Sequence, residues 1–350
     1  MTAQNISWFA DIGLSDRPSV GGKGGSLGEL TKAGIEVPPG FVVRTEAFER
    51  FIQVLDAAEP LRAPVEALDP GDLDKVAAVT KKIRERIVKT PMPADVEKDL
   101  TTAYAQLCGD DARAPVAVRS SATTEDAEDA SFAGLQDTYL WVLGAEETLK
   151  MVRSCWASLY SVESVCYRRR KNFPEAGVAM GVVVQKMVDA RTAGVMFTRS
   201  PTTGDKSVIT IEGAWGLGSA VVSGEVTPDR WVVGKLTGEI TVRDISDKHI
   251  RQSPKEGGGI EDVALPADQR TAPCLSDEEL LRLKDIARKT EKHYGRAQDI
   301  EWAVDGAGKI LLLQSRPETV WSAKDAAPVA RPQDDPKKHV MNIFGGRRGS

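Results

Sequence analysis

Apolar residues recur along this chain with two spacings, one near 3.6 residues and one of two, and the alternation between them outlines the secondary structure. Helical spacing marks 45–56, 72–89, 94–107, 146–170 and 277–293. The last of these follows Ser276, with Glu279 placed to complete a reciprocal cap at the helix start. A shorter helix is expected over 26–33, between the glycine cluster at 21–25 and a stop at Gly34. Strand spacing marks 116–119, 138–142, 181–187, 194–198, 208–212, 231–233, 239–242, 299–304 and 309–314. Strands crowd into the second half. The pattern predicts a mixed α/β (α+β) chain: a helix-rich N-terminal lobe over 1–188, a sheet-rich C-terminal lobe over 189–320, and a site in the seam between them. From 321 to 350 the prolines at 328, 332 and 336 read as an extended tail or linker, whose apolar end at 340–344 either docks or stays unstructured.

Composition narrows the classes of function. The 350 residues are enough for two lobes, and 41% apolar with 28% charged is globular. Lys plus Arg number 46 against 51 Asp plus Glu, a net charge of −5, so no general basic field exists to hold nucleic acid. The four cysteines form no CxxC pair and the three histidines lie far apart, which argues against structural zinc and for buried thiols in a reducing cytosol. No uncharged apolar run approaches the roughly 18 residues that cross a bilayer. A cytoplasmic protein with no membrane partner is the expectation.

Several short stretches carry candidate chemistry. Gly21-Gly22-Lys23-Gly24-Gly25-Ser26 sets one cation among glycines ahead of a helix, either a phosphate cradle or a solvated turn. It is not a Walker loop, because Gly24 follows the lysine. Val116-Ala117-Val118-Arg119 ends an apolar strand in a planar, permanent charge suited to phosphate oxygens. The polar stretch from Ala122 to Thr138 reads as a loop, one that covers phosphates or merely connects strands. Gln185, Met187 and Val188 close an apolar strand and can offer an amide and backbone edge to a base, while Glu212 ends a strand where a ribose hydroxyl could bind. Asp299 and Glu301, two apart in a strand, share a face. A two-residue turn pairing Asp305 with Gly308 would set Glu301 opposite Leu312 and Asp299 opposite Gln314, with Arg316 on the same face. Two carboxylates and an amide oxygen suit Mg²⁺; an edge-strand charge pair is the plainer alternative.

In combination and in order, these stretches resemble the N-terminal nucleotide-binding domain of the phosphoenolpyruvate synthase, pyruvate phosphate dikinase and rifampin phosphotransferase family. The resemblance runs over about residues 5–320. It implies a two-lobed ATP-grasp fold that holds ATP with Mg²⁺ and cleaves it to AMP. It assigns Lys23, Arg119 and Arg316 to the phosphates and to catalysis, Gly134 and Thr138 to the phosphate-covering loop, and Gln185, Met187 and Val188 to adenine. Glu212 falls on the sugar side, and Asp299, Glu301 and Gln314 form the metal set. Ser219 stands where the family often has an acid. None of His249, His293 and His339 lies in a phosphohistidine-like stretch, so the expected partner is a separate subunit carrying the phosphohistidine and acceptor-binding domains. In that respect the chain resembles the ATP-binding subunit of phenylphosphate synthase, a resemblance that offers phenol as the final acceptor beside pyruvate, water or an antibiotic. A fragment of a longer relative and a non-catalytic nucleotide-sensing module are the alternatives.

Overall fold

The helix at Asp277–Tyr294 shows how local chemistry sets the element boundaries. The Ser276 hydroxyl accepts from the Glu279 N–H at 3.2 Å, the Glu279 carboxylate accepts from the Ser276 N–H at 2.9 Å, and Gly295 stops the helix at φ 67°. The computed structural model of the protein describes residues 5–123, 126–127, 130–131, 137–319 and 321. Gly134 and nearly all of the 321–350 segment lie outside them.

The expected helices at 45–56, 72–89 and 94–107 appear as Thr45–Ala58, Leu73–Lys89 and Ala94–Cys108. The 146–170 stretch is two helices, Ala145–Ser158 and Val162–Arg170, because the Ser161 hydroxyl caps a fresh start by accepting from the Ser164 N–H at 3.1 Å. The glycine cluster is also not a loop before a short helix. Helix Arg17–Lys32 runs through it and breaks only at Gly21, where φ is 72° and ψ 178°. Short strands at Ile6–Trp8 and Gly40–Val43, and the hairpin Ile250–Pro254 with Ile260–Ala264, are too brief for a periodic signal.

Among the described residues two large antiparallel sheets result, beside two two-stranded ones. The first runs Ile6–Trp8, Gly40–Val43, Met180–Lys186, Val116–Ala122, Thr138–Val142. The second runs Ile240–Asp244, Asp229–Gly234, Val208–Trp215, Ala190–Phe197, Gln298–Asp305, Ile310–Pro317. The chain steps from the first to the second directly, between Lys186 and Ala190. Each sheet has its own core: Trp156 packs against Phe48 and Phe51 in one, and Trp231 and Trp302 are wholly buried in the other. Helix Arg17–Lys32 joins them, since Val20 and Leu27 pack with Val42 and Val183 of the first sheet while Leu30 enters the second core. Across that joint the Ser26 hydroxyl donates to the Ser315 carbonyl at 2.5 Å, and His293 meets Glu29 at 2.7 Å. All four cysteines are buried and unpaired, and among the described residues no helix is long and apolar enough to cross a membrane.

Candidate functional site

Arg119 connects the two sheets. Its strand is hydrogen-bonded on both sides, to Met180–Lys186 and to Thr138–Val142, so its backbone cannot shift alone. The guanidinium leaves the first sheet and donates from Nη1 to the Leu313 carbonyl at 2.8 Å, and from Nη2 to Glu301 Oε2 and Gln314 Oε1, both at 2.7 Å. Only 8% of the residue is exposed. The planar fork thus meets three oxygens of the second sheet at once.

The hairpin that supplies those oxygens differs from the expected register. Asp305 pairs with Lys309 rather than Gly308, around a loop of Gly306, Ala307 and Gly308 in which Gly308 takes φ 80°. A bulge then follows, because Trp302 faces Leu312 while Glu301 faces Gln314, leaving Leu313 without a cross-strand partner. Each irregularity slips the pairing by one residue. Glu301 therefore stands opposite Gln314 and Asp299 opposite Arg316, not opposite Leu312 and Gln314. Two single slips restore the face, so all four side chains still project together. The bulge also gives Arg119 its carbonyl partner, Leu313, which no sequence signal identified.

The same face gathers further charge. Glu301 pairs with Val195, Val195 with Glu212 and Glu212 with Arg230, forming one row across the sheet. Burial pushes the Glu212 carboxyl above the ordinary carboxylate value, Arg230 draws it back, and Asp299 pushes it up again. Asp299 is likewise raised by burial; Arg316 opposes this from 2.8 and 2.7 Å, and the charges of Glu301 and Glu318 add to the rise. The structure thus groups Glu212 with the acids rather than with the lining of the cavity described below. Among the described residues no three His, Cys, Asp or Glu side chains are gathered tightly enough to hold a metal by themselves. Two carboxylates and an amide oxygen on one face nevertheless fit a hard cation that brings phosphate oxygens with it. Arg119 hydrogen-bonds the Glu301 and Gln314 oxygens of this set.

Beside Arg119 the sheets enclose a cavity of about 280 Å³. Arg119, Thr138, Gln185, Met187, Val188 and Glu301 line it; Lys23, Asp299, Gln314 and Arg316 do not. Its walls are mainly apolar, with Leu140, Ala193, Leu217 and Val222 among them, as a flat base requires. Leu217 and Val222 flank or belong to the short helix Ser219–Ser223, which forms a roof too brief to be read from the sequence. Gln185 is buried and donates from Nε2 to the Pro38 carbonyl at 3.3 Å, which leaves its Oε1 as the acceptor. The Met187 N–H is spent on the Pro115 carbonyl at 2.9 Å, so of its backbone edge only the carbonyl can serve a base. Ser219, at the departure noted in the sequence, hydrogen-bonds Gln252, and Gln252 in turn donates to Glu225 at 2.8 Å. Lys23 follows the helix break, and its charge is felt at the buried Cys155 thiol together with that of Asp137, the residue next to Thr138.

The model of the family described as pyruvate phosphate dikinase, AMP/ATP-binding domain, matches residues 17–337. A probable phosphoenolpyruvate synthase of Archaeoglobus fulgidus is 45% identical over 315 residues, covering 90% of this chain and 41% of that protein. One from Methanocaldococcus jannaschii is 40% identical over 98% of this chain and 29% of its own length. The phosphoenolpyruvate synthase of Aeropyrum pernix is 40% identical over 96% and 45%. The chain therefore spans less than half the length of these relatives. A solved biotin carboxylase–β-γ-ATP complex from Campylobacter jejuni aligns over 78% of this chain and 47% of that one, at 13% identity and a TM-score of 0.26, which carries no argument about the site.

Proposed function

Since the chain belongs to the family of the pyruvate phosphate dikinase AMP/ATP-binding domain, we propose that it is the ATP-binding part of a dikinase-type phosphotransferase. ATP occupies the cleft between the sheets, with the base in the apolar cavity and the phosphates toward Arg119. Mg²⁺, held by Glu301, Gln314 and Asp299, neutralises phosphate charge when bound. A histidine nitrogen on a partner bonds to the β-phosphorus, AMP leaves, and water takes the terminal phosphoryl as phosphate. Transfer of this kind asks the protein mainly for positioning and charge. Arg119 provides both from a fixed strand, and Lys23 and Arg316 add charge at the phosphates.

The observation that carries this reading is the crossing of Arg119 from one sheet to Glu301, Gln314 and Leu313 of the other, beside a cavity shaped for a base. The experiment uses ATP labelled at the β- or the γ-phosphorus, with a phosphohistidine partner present. Label from the β-position on the partner's histidine, with AMP and phosphate released, is the expected result. ADP as the sole nucleotide product would overturn the dikinase reading.

A further inference from the structure

Helix Arg17–Lys32 should be weak at Gly21. A break of this kind leaves carbonyls of the preceding turn without N–H donors and N–H groups of the following turn without carbonyl acceptors, and buried backbone groups left so are costly. The repair comes from outside the helix. The Ser121 hydroxyl, on strand Val116–Ala122 and 0% exposed, donates to the Val20 carbonyl at 2.8 Å and accepts from the Gly24 N–H at 3.1 Å. One hydroxyl can do both at once, because it carries a single proton and free lone pairs.

The fit is close on both sides. A Cβ at Gly21 would lie 1.9 Å from the Ser121 carbonyl oxygen, so only glycine lets helix and strand approach this far. Lys23 lies inside the spliced segment, between the two residues Ser121 joins. Ser121 also lies two residues beyond Arg119 on one strand, so both side chains leave the same face. A single strand thereby holds Arg119 directly and Lys23 through the helix.

We infer that Ser121 is a positioning residue for Lys23: its hydroxyl splices the broken helix and so sets where the lysine charge stands relative to Arg119. The inference rests on the reading that Lys23 meets the phosphates of ATP. A purely structural role would instead make Ser121 matter equally whether or not the lysine is present.

A double-mutant cycle separates the two. Mg-ATP binding is measured by calorimetry for the wild-type chain, Ser121→Ala, Lys23→Ala and the double variant, with thermal melting as a check on folding. Ser121→Ala is expected to weaken binding on the order of 10-fold when Lys23 is present and by little in the Lys23→Ala background. Ser121→Cys, which keeps the volume but bonds weakly, should fall between and stands in should the alanine variant not fold. Equal losses from Ser121→Ala in both backgrounds would overturn the inference while leaving the nucleotide reading intact. Unchanged binding by Lys23→Ala would overturn it too, since there would be no phosphate contact to position. Failure of the wild-type chain to bind Mg-ATP would remove the nucleotide reading itself, and this inference with it.

Discussion

On the proposed reading Glu301 serves both Arg119 and the metal. In the structure its Oε2 holds Arg119 Nη2 at 2.7 Å, with the two side chains 28% and 10% exposed. On the same reading, a metal bound by Glu301 and Gln314 would compete with that guanidinium for their oxygens and turn it toward the phosphates. Glu301→Gln keeps the size and an oxygen acceptor for Arg119 but removes the charge. A hydrogen bond or ligand contact to a charged group contributes about 1.5–3 kcal/mol, so the metal-dependent part of ATP affinity should fall by about 10- to 100-fold. Metal-free affinity should stay level or rise slightly, because Arg119 is held less firmly. The assay is calorimetric titration of ATP with excess Mg²⁺ and again with chelator, and the quantity read is the ratio of the two dissociation constants. That ratio should shrink toward unity in the Glu301→Gln protein. A folded variant that keeps the wild-type ratio would refute both the metal assignment and the exchange with Arg119.

Arg119→Ala should slow single-turnover formation of AMP, partner present, on the order of 10³-fold, with a much smaller loss of equilibrium ATP binding. Near-normal transfer would reduce the residue to a structural tie between the sheets, and Lys in its place should restore only part of the rate because it lacks the planar fork. The Glu29–His293 contact predicts a pH dependence of stability. Burial alone would raise the Glu29 carboxyl, but hydrogen bonds from His293 and the Leu14 N–H, with the charges of His293 and Lys32, bring it below its ordinary value. A depressed folded-state value adds stability that is present above the unfolded value and lost as pH falls through the folded one. Glu29→Gln should therefore melt about 2 °C below wild type at pH 6, with the gap closing as the pH falls below the ordinary carboxylate range; a gap constant with pH would count against the contact.

The elements that were legible in advance are those long enough to repeat a period. Helix Asp277–Tyr294 announced itself through Ser276 and Glu279, the strand at Val116–Ala122 through an apolar run reaching Arg119, and the strand at Gln298–Asp305 through its alternation with Asp299 and Glu301 on one side. What escaped was short or irregular: the Ser219–Ser223 roof, the Ile250–Pro254 hairpin, and a helix that runs through five glycines with Ser121 bridging its break from another strand. Propensity could not anticipate that repair, since the hydroxyl comes from 97 residues further along the chain.

That Asp299 shares a face with Glu301, and Gln314 with Arg316, followed from sequence alone, because side chains alternate strictly along a strand; the two pairs share one face because the two slips cancel. Which of them stand opposite one another was decided by the Gly306–Gly308 loop and the bulge at Leu313, both local choices of backbone that alternation does not encode. The meeting of Arg119 with Glu301, separated by 182 residues, belongs wholly to the tertiary structure. It exists because helix Arg17–Lys32 packs Val20 and Leu27 against the first sheet and Leu30 into the core of the second, holding the two sheets close enough for one guanidinium to span them.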